Sequence, residues 1–198
     1  MKRSALIALL ALAAMPLTAA EQRLVLDPQN TEVSFDLEAT GHDIHGLVTL
    51  ESGEVTFDLD SGTASGAIVL DVAHAVTGNA SRDRTMRGDV LEAERFPTIE
   101  FMPGMVTGSL AAEGSSQLTL HGVVRLHGDP HPLALPATVE VHGDHVTATA
   151  SFVIPYQEWG LSDPSVLFLK VAKVVAVTVR ADGKLSSPAA DAPAGSAR

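Results

Sequence analysis

Thr77–Phe101, TGNASRDRTMRGDVLEAERFPTIEF, is a charged stretch inside a chain that otherwise reads as short β-strands. Arg82, Asp83, Arg84, Arg87, Asp89, Glu92, Glu94 and Arg95 crowd together there, while Met86, Val90 and Leu91 recur at helical spacing. The pattern predicts one short amphipathic helix near residues 80–92. Asn79 or Ser81 can cap its start, because a side-chain oxygen accepts the orphan N–H groups of a first turn. Pro97 ends the segment and restarts extended chain at Thr98.

On either side of this helix the apolar residues alternate. Val33, Phe35 and Leu37 are interleaved with Ser34, Asp36 and Glu38, and Val55, Phe57 and Leu59 with Thr56 and Asp58. The same period of two runs through Leu118 and Leu120, through Ala148, Ala150, Phe152 and Ile154, and through Val175, Val177 and Val179. Turn signals stand at Asp27-Pro28, Ser52-Gly53, Asp60-Ser61-Gly62, Glu113-Gly114, Gly128-Asp129-Pro130 and Gly143-Asp144. The fold class is therefore all-β, with about eight or more antiparallel strands and one short helix. Pattern alone leaves a sandwich and an up-and-down barrel both open.

Three motifs in order narrow that choice. The run from TGN through RD to RFPTIEF, the strand QLTLHGVVRLHG at 117–128 and the segment IPYQEWGLSDPSVLFLKV at 154–171 resemble the signature segments of the YceI-like family. The resemblance spans nearly all of residues 23–181. It implies an exported, lipocalin-like antiparallel β-barrel that holds a long apolar lipid, a polyisoprenoid in the best-known members.

The ends of the chain agree with export. Lys2 and Arg3, the apolar run Ala5–Leu12 and the small residues Thr18-Ala19-Ala20 read as a signal peptide over 1–20, cleaved before Glu21. Of 198 residues, loss of the first 20 would leave 178; with Lys2 and Arg3 gone the net charge of −11 becomes −13. The YceI-like domain is assigned to 21–184 and a disordered, Pro/Ala-rich tail to 185–198. The expected location is the periplasm. With no cysteine, a lipid-modified anchor and disulfides are both excluded, and no stable membrane anchor is expected. Strong negative charge disfavours nucleic acid and anionic membrane surfaces, which need a basic face.

An eight-stranded barrel can be filled by side chains or can hold one small ligand. This chain has only one Trp, one Tyr and six Phe, and many inward positions are Val or Ala, which leaves room; the alternative is that these residues pack a dry core. On the lipid reading each buried methylene contributes roughly 0.8 kcal/mol, so about ten give on the order of 8 kcal/mol before association costs. The ligand site is then the inward stripe: Phe35, Leu37, Phe57, Ile68, Leu70, Phe101, Leu120, Phe152, Ile154 and Phe168. The bound species would be an isoprenoid or a fatty acid, with no cofactor. A homodimer is left open.

Polar candidates are fewer. Arg82 and Asp83 could pair at the barrel mouth, where the guanidinium would meet a phosphate or carboxylate headgroup; the alternative is a solvated helix face. Trp159, between two strands in YQEWGLSDPS, either plugs one barrel end or touches the ligand's terminus. Of eight histidines, His42 and His45 lie in GHDIHG with Asp43 as a further donor, and His127, His131, His142 and His145 flank two predicted turns that could be neighbours. Two loop histidines do not complete a tetrahedral zinc site, and His121 and His127 fall on the polar face of their strand, so solvated surface histidines are the expectation. Activated-nucleophile and phosphate-binding motifs are missing, and no enzyme is expected. The runner-up readings are a metal- or tetrapyrrole-binding module built on GHDIHG and a filled barrel that acts as an interaction protein.

Overall fold

The computed structural model describes residues 21–165 and 170–187. The segment read as a signal peptide, Phe168, and the tail from residue 188 onward lie outside them. Nine strands form one antiparallel sheet: β1 (Gln22–Leu26), β2 (Glu32–Leu37), β3 (Ile44–Asp58), β4 (Thr63–Val76), β5 (Thr98–Gly108), β6 (Gly114–Leu126), β7 (Asp129–His142), β8 (His145–Ile154) and β9 (Val175–Ser186). Both β1 and β2 pair with β3 on one side and β9 on the other, while β3 also pairs with β4. The two short strands are thus one stave interrupted at Asp27–Thr31, and the sheet closes into an eight-stave barrel. Among the described residues no helix is long and apolar enough to cross a membrane.

Closure removes the unpaired edges that an open sheet would expose, and the alternation read from the sequence decides what points inward. Val33, Val55, Val106, Val141 and Val146 are buried, whereas their neighbours along each strand are more exposed. The predicted turn at Ser52-Gly53 is instead continuous β3, with a register shift between Leu50 and Ser52. Glycine inside a strand marks a bulge as readily as a turn, and here the Leu26 side chain lies where a Cβ on Gly53 would stand. At the other end, β9 runs on through Leu185 and Ser186, which pair with Leu24 and Arg23 of β1. Those two residues belong to the barrel and not to the tail.

Among the described residues, the connections at one end of the barrel are all tight: β3–β4, β5–β6 and the two-residue turn Gly143-Asp144. That end is packed solid by Val55, Phe57, Ala64, Val106, Leu118, Val139, Val141 and Val146. The opposite end carries the three longer connections, residues 38–43, 77–97 and 155–174, together with the β6–β7 turn. The predicted helix lies in the second of these. It is α-helical as α1 (Ala80–Thr85) and continues as a π-helical turn, Met86–Val90. The Asn79 carboxamide oxygen caps it, accepting from the Ser81 and Arg82 N–H groups at 3.0 and 3.1 Å.

Candidate functional site

Between the packed end and the long connections the barrel encloses a cavity of about 740 Å³, within the roughly 300–1,000 Å³ typical of small-molecule sites. Every stave contributes apolar side chains to it, from Val33, Phe35 and Leu37 of β2 round to Val175, Val177 and Val179 of β9. Small residues supply the room: Ala137, Ala148 and Ala150 stand on the wall where larger side chains would meet across the axis. A second concavity, about 530 Å³ along Gly108–Ala111 and Ser115–Gln117, is a more open surface depression with no converging charged groups.

The cavity opens toward the long connections, and its mouth has two faces. On one, Met86, Val90 and Leu91 of the helical segment turn their apolar side inward, as their spacing predicted. They are joined by the polar groups Thr77, Asn79, Ser81, Arg82, Thr85 and His42. On the other, Trp159, Leu161 and Tyr156 of the β8–β9 connection close over the wall, packed with Leu126 and Ile154. The Tyr156 hydroxyl donates to the Ala172 carbonyl at 2.9 Å, tying the start of that connection to its end. Burial pushes this hydroxyl's pKa up, opposed by the hydrogen bond from Gln157.

Arg82 lines the mouth whereas Asp83 does not, and among the described residues they form no ion pair with each other. They meet on Thr77 instead. The Thr77 backbone N–H and hydroxyl donate to Asp83 Oδ1 at 2.7 and 2.6 Å, while Arg82 donates to the same hydroxyl at 2.7 Å and to the Thr77 carbonyl at 2.9 Å. Asp83 is buried. The Thr77 hydroxyl first, then the Thr77 N–H and the charges of Arg87 and Arg82, hold its carboxyl below the usual carboxylate range. A buried carboxylate next to two guanidinium groups thus fixes the TGN corner at the rim. The sequence reading missed Thr77 and Tyr156. Each is a short-range anchor whose partner is set only by how the chain returns.

Ten of the twelve residues expected to touch a ligand line the cavity: Phe35, Leu37, Ile68, Leu70, Arg82, Phe101, Leu120, Phe152, Ile154 and Trp159. Phe57 sits lower on β3, in the packed end. Phe168 is outside the described residues. Trp159 both lines the cavity and stacks on His131, ring centroids 4.3 Å apart and planes within 3°.

The histidines do not assemble as one group. His42 faces the cavity mouth, whereas His45 is exposed on the outer face of β3 and pairs with Asp36 of β2. His127 and His131 stand at the mouth end of β7 and His142 and His145 at its closed end, so the two turns expected as neighbours lie at opposite ends of the barrel. His127 is not a solvated strand residue either. Its side chain is only 18% exposed, packed 4.5 Å from the Phe96 ring and 3.1 Å from Glu92. Among the described residues no three His, Cys, Asp or Glu side chains converge as a metal site.

A sequence model of the YceI-like domain matches residues 24–182. Among solved structures, Burkholderia cenocepacia BcnA is similar at a TM-score of 0.63 and 18% identity, covering 82% of this chain and 99% of its own. A polyisoprenoid-binding domain from Saccharophagus degradans, implicated in plant cell wall breakdown, is similar at 0.60 and 14% identity, covering 83% and 98%. A Campylobacter jejuni YceI protein follows at 0.51 and 12%, covering 74% and 84%. At such identities the likeness is one of fold. No curated protein matches the sequence.

Proposed function

The chain belongs to the YceI-like family, and on that premise we propose that it sequesters or carries one long apolar lipid, isoprenoid or fatty-acid-like, in the barrel interior. The observation that carries this reading is the cavity of about 740 Å³, walled by hydrocarbon on every stave and open at one end. A lipid tail there would replace water against Val, Leu, Ile and Phe side chains, gaining roughly 0.8 kcal/mol per methylene buried. The description of the Saccharophagus degradans domain as polyisoprenoid-binding supports the same ligand class.

The lipid's polar end would stay at the mouth, against Arg82, Asn79, Ser81 and Thr85, where an oxygen-bearing headgroup finds donors that the hydrocarbon wall lacks. The role proposed is that of a carrier: the Thr77 hydroxyl is held between Arg82 and the Asp83 carboxylate, which anchors the rim and does not poise a nucleophile, while the remaining guanidinium N–H groups of Arg82 stay open to a headgroup. Export to the periplasm, on the sequence of residues 1–20, completes the proposal.

The test is native mass spectrometry of the protein purified from a periplasmic extract, followed by organic extraction and lipid identification. A prenyl or acyl species at about one per chain is the expected result. A protein recovered empty that also refuses long-chain prenyl alcohols and fatty acids on titration overturns the proposal.

A further inference from the structure

At the closed end of the barrel, remote from the mouth, His142 of β7 and His145 of β8 are direct register partners flanking the two-residue turn Gly143-Asp144. Both lie on the outer face, with side chains 68% and 47% exposed. Register partners on an antiparallel pair hold their Cβ atoms about 4.5–5.5 Å apart. Two imidazoles at that spacing can close on one ion at the roughly 2.0–2.1 Å metal–nitrogen distance of a zinc site.

A carboxylate stands beside each ring. Glu113 Oε2 lies 3.8 Å from His142 Nδ1, and its other oxygen accepts the Gly143 N–H at 2.9 Å, which fixes the carboxylate over the turn. Asp182 Oδ2 lies 3.1 Å from His145 Nε2. At 3.1 Å Asp182 stands on the Nε2 side of the His145 ring and leaves Nδ1 open toward a metal, the kind of carboxylate support that ligating histidines generally have; Glu113, at 3.8 Å, lies beside the His142 ring without a hydrogen bond to it. Lys184 stands opposite His145 on β9, with its ammonium drawn to within 3.8 Å of Asp144.

We propose that His142 and His145, flanked by Glu113 and Asp182, form a two-histidine chelate for a divalent transition-metal ion of the imidazole-preferring kind, Cu²⁺, Zn²⁺ or Ni²⁺. Water completes the coordination shell; among the described residues no third His, Cys, Asp or Glu converges there as a further ligand. The other outward histidine–carboxylate pairs, His45–Asp36 and His74–Asp71, have one imidazole each and cannot chelate in this way. The site is independent of the lipid cavity, so it stands or falls separately from the carrier function.

The experiment is titration of the full chain with Cu²⁺ near neutral pH, followed by electron paramagnetic resonance, on the wild type, H142A, H145A and the control H74A. One copper per chain with a two-nitrogen hyperfine pattern is expected. H142A and H145A should each weaken binding by more than the roughly tenfold that loss of even an outer-shell partner costs, and H74A should leave it unchanged. Melting of the metal-free variants checks that these exposed substitutions keep the fold. Copper that binds equally well to H142A and H145A, or that shows no nitrogen pair, overturns the proposal.

Discussion

The Phe35 ring lies across the backbone of Gly46, its register partner on β3, in the space that a side chain at Gly46 would occupy. Phe35 is also part of the cavity wall. One glycine therefore sets where an aromatic ring stands, and with it the width of the cavity. This is the cross-strand covering of a glycine by an aromatic that pins register in β-barrels.

Gly46→Ala places a methyl group into that ring, which has to swing toward the cavity. Overpacking of this kind costs about 1–3 kcal/mol. In a double-mutant cycle measured by urea unfolding, the cost should fall to near zero in a Phe35→Ala background, because the clash partner is gone. Equal costs in both backgrounds would show that the ring does not hold the position described.

Phe57 and Phe35 differ in what surrounds them. Phe57 is 6% exposed among the packed residues of the closed end, so Phe57→Ala leaves a void between side chains that cannot collapse and should cost about 3–5 kcal/mol. Phe35 already borders open space, and Phe35→Ala should cost clearly less. Lipid uptake should sort the other way, changed by the Phe35 substitution and preserved by the Phe57 one wherever that variant is folded. Chemical denaturation beside a lipid-binding assay checks both orders.

Acid should loosen the mouth through Asp83. Its carboxyl is held below the usual range by the Thr77 hydroxyl and N–H and by two arginines. The folded value is lower than the unfolded value of about 3.9, so the carboxylate's contribution is fully present above that pH. It is lost as pH falls from there through the folded value. Asp83→Asn should therefore lower stability relative to wild type at pH 6, and the gap should narrow as pH drops below about 4. A gap that stays constant from pH 6 to pH 2 would assign the effect to shape and not to charge.

How much of this was legible in the sequence depended on whether the signal was local. The alternation of Val33, Phe35 and Leu37 foretold an inward stripe because side-chain direction repeats every two residues, and Asn79 foretold a cap because its partners are the next few N–H groups. Phe35 and Phe57 look alike in that code, yet one lines a cavity and the other fills the closed end, since axial level in a barrel depends on stagger between staves. Gly53 misread as a turn has the same origin: a glycine's role in a strand depends on what packs over it, here Leu26 from a different strand. The histidines flanking β7 were separated by the length of the strand itself, a distance that two similar turn signals do not encode.

Trp159 makes the mouth observable. It is the only tryptophan in the chain; its indole lines the cavity on one side and stacks on the His131 ring at 4.3 Å on the other. A lipid tail entering the barrel would displace water from the exposed part of the indole, so emission should shift to shorter wavelength and saturate at one ligand per chain. His131→Ala removes the stacked ring, worth about 0.5–1.5 kcal/mol for an aromatic pair, and frees the indole to turn outward. That variant should emit at longer wavelength when empty and show a larger shift on filling, with the β-sheet circular dichroism of the wild type. If a saturating prenyl alcohol leaves the wild-type spectrum unmoved while binding is shown by extraction, the ligand enters without touching Trp159. The residue is then a plug of the β8–β9 connection alone.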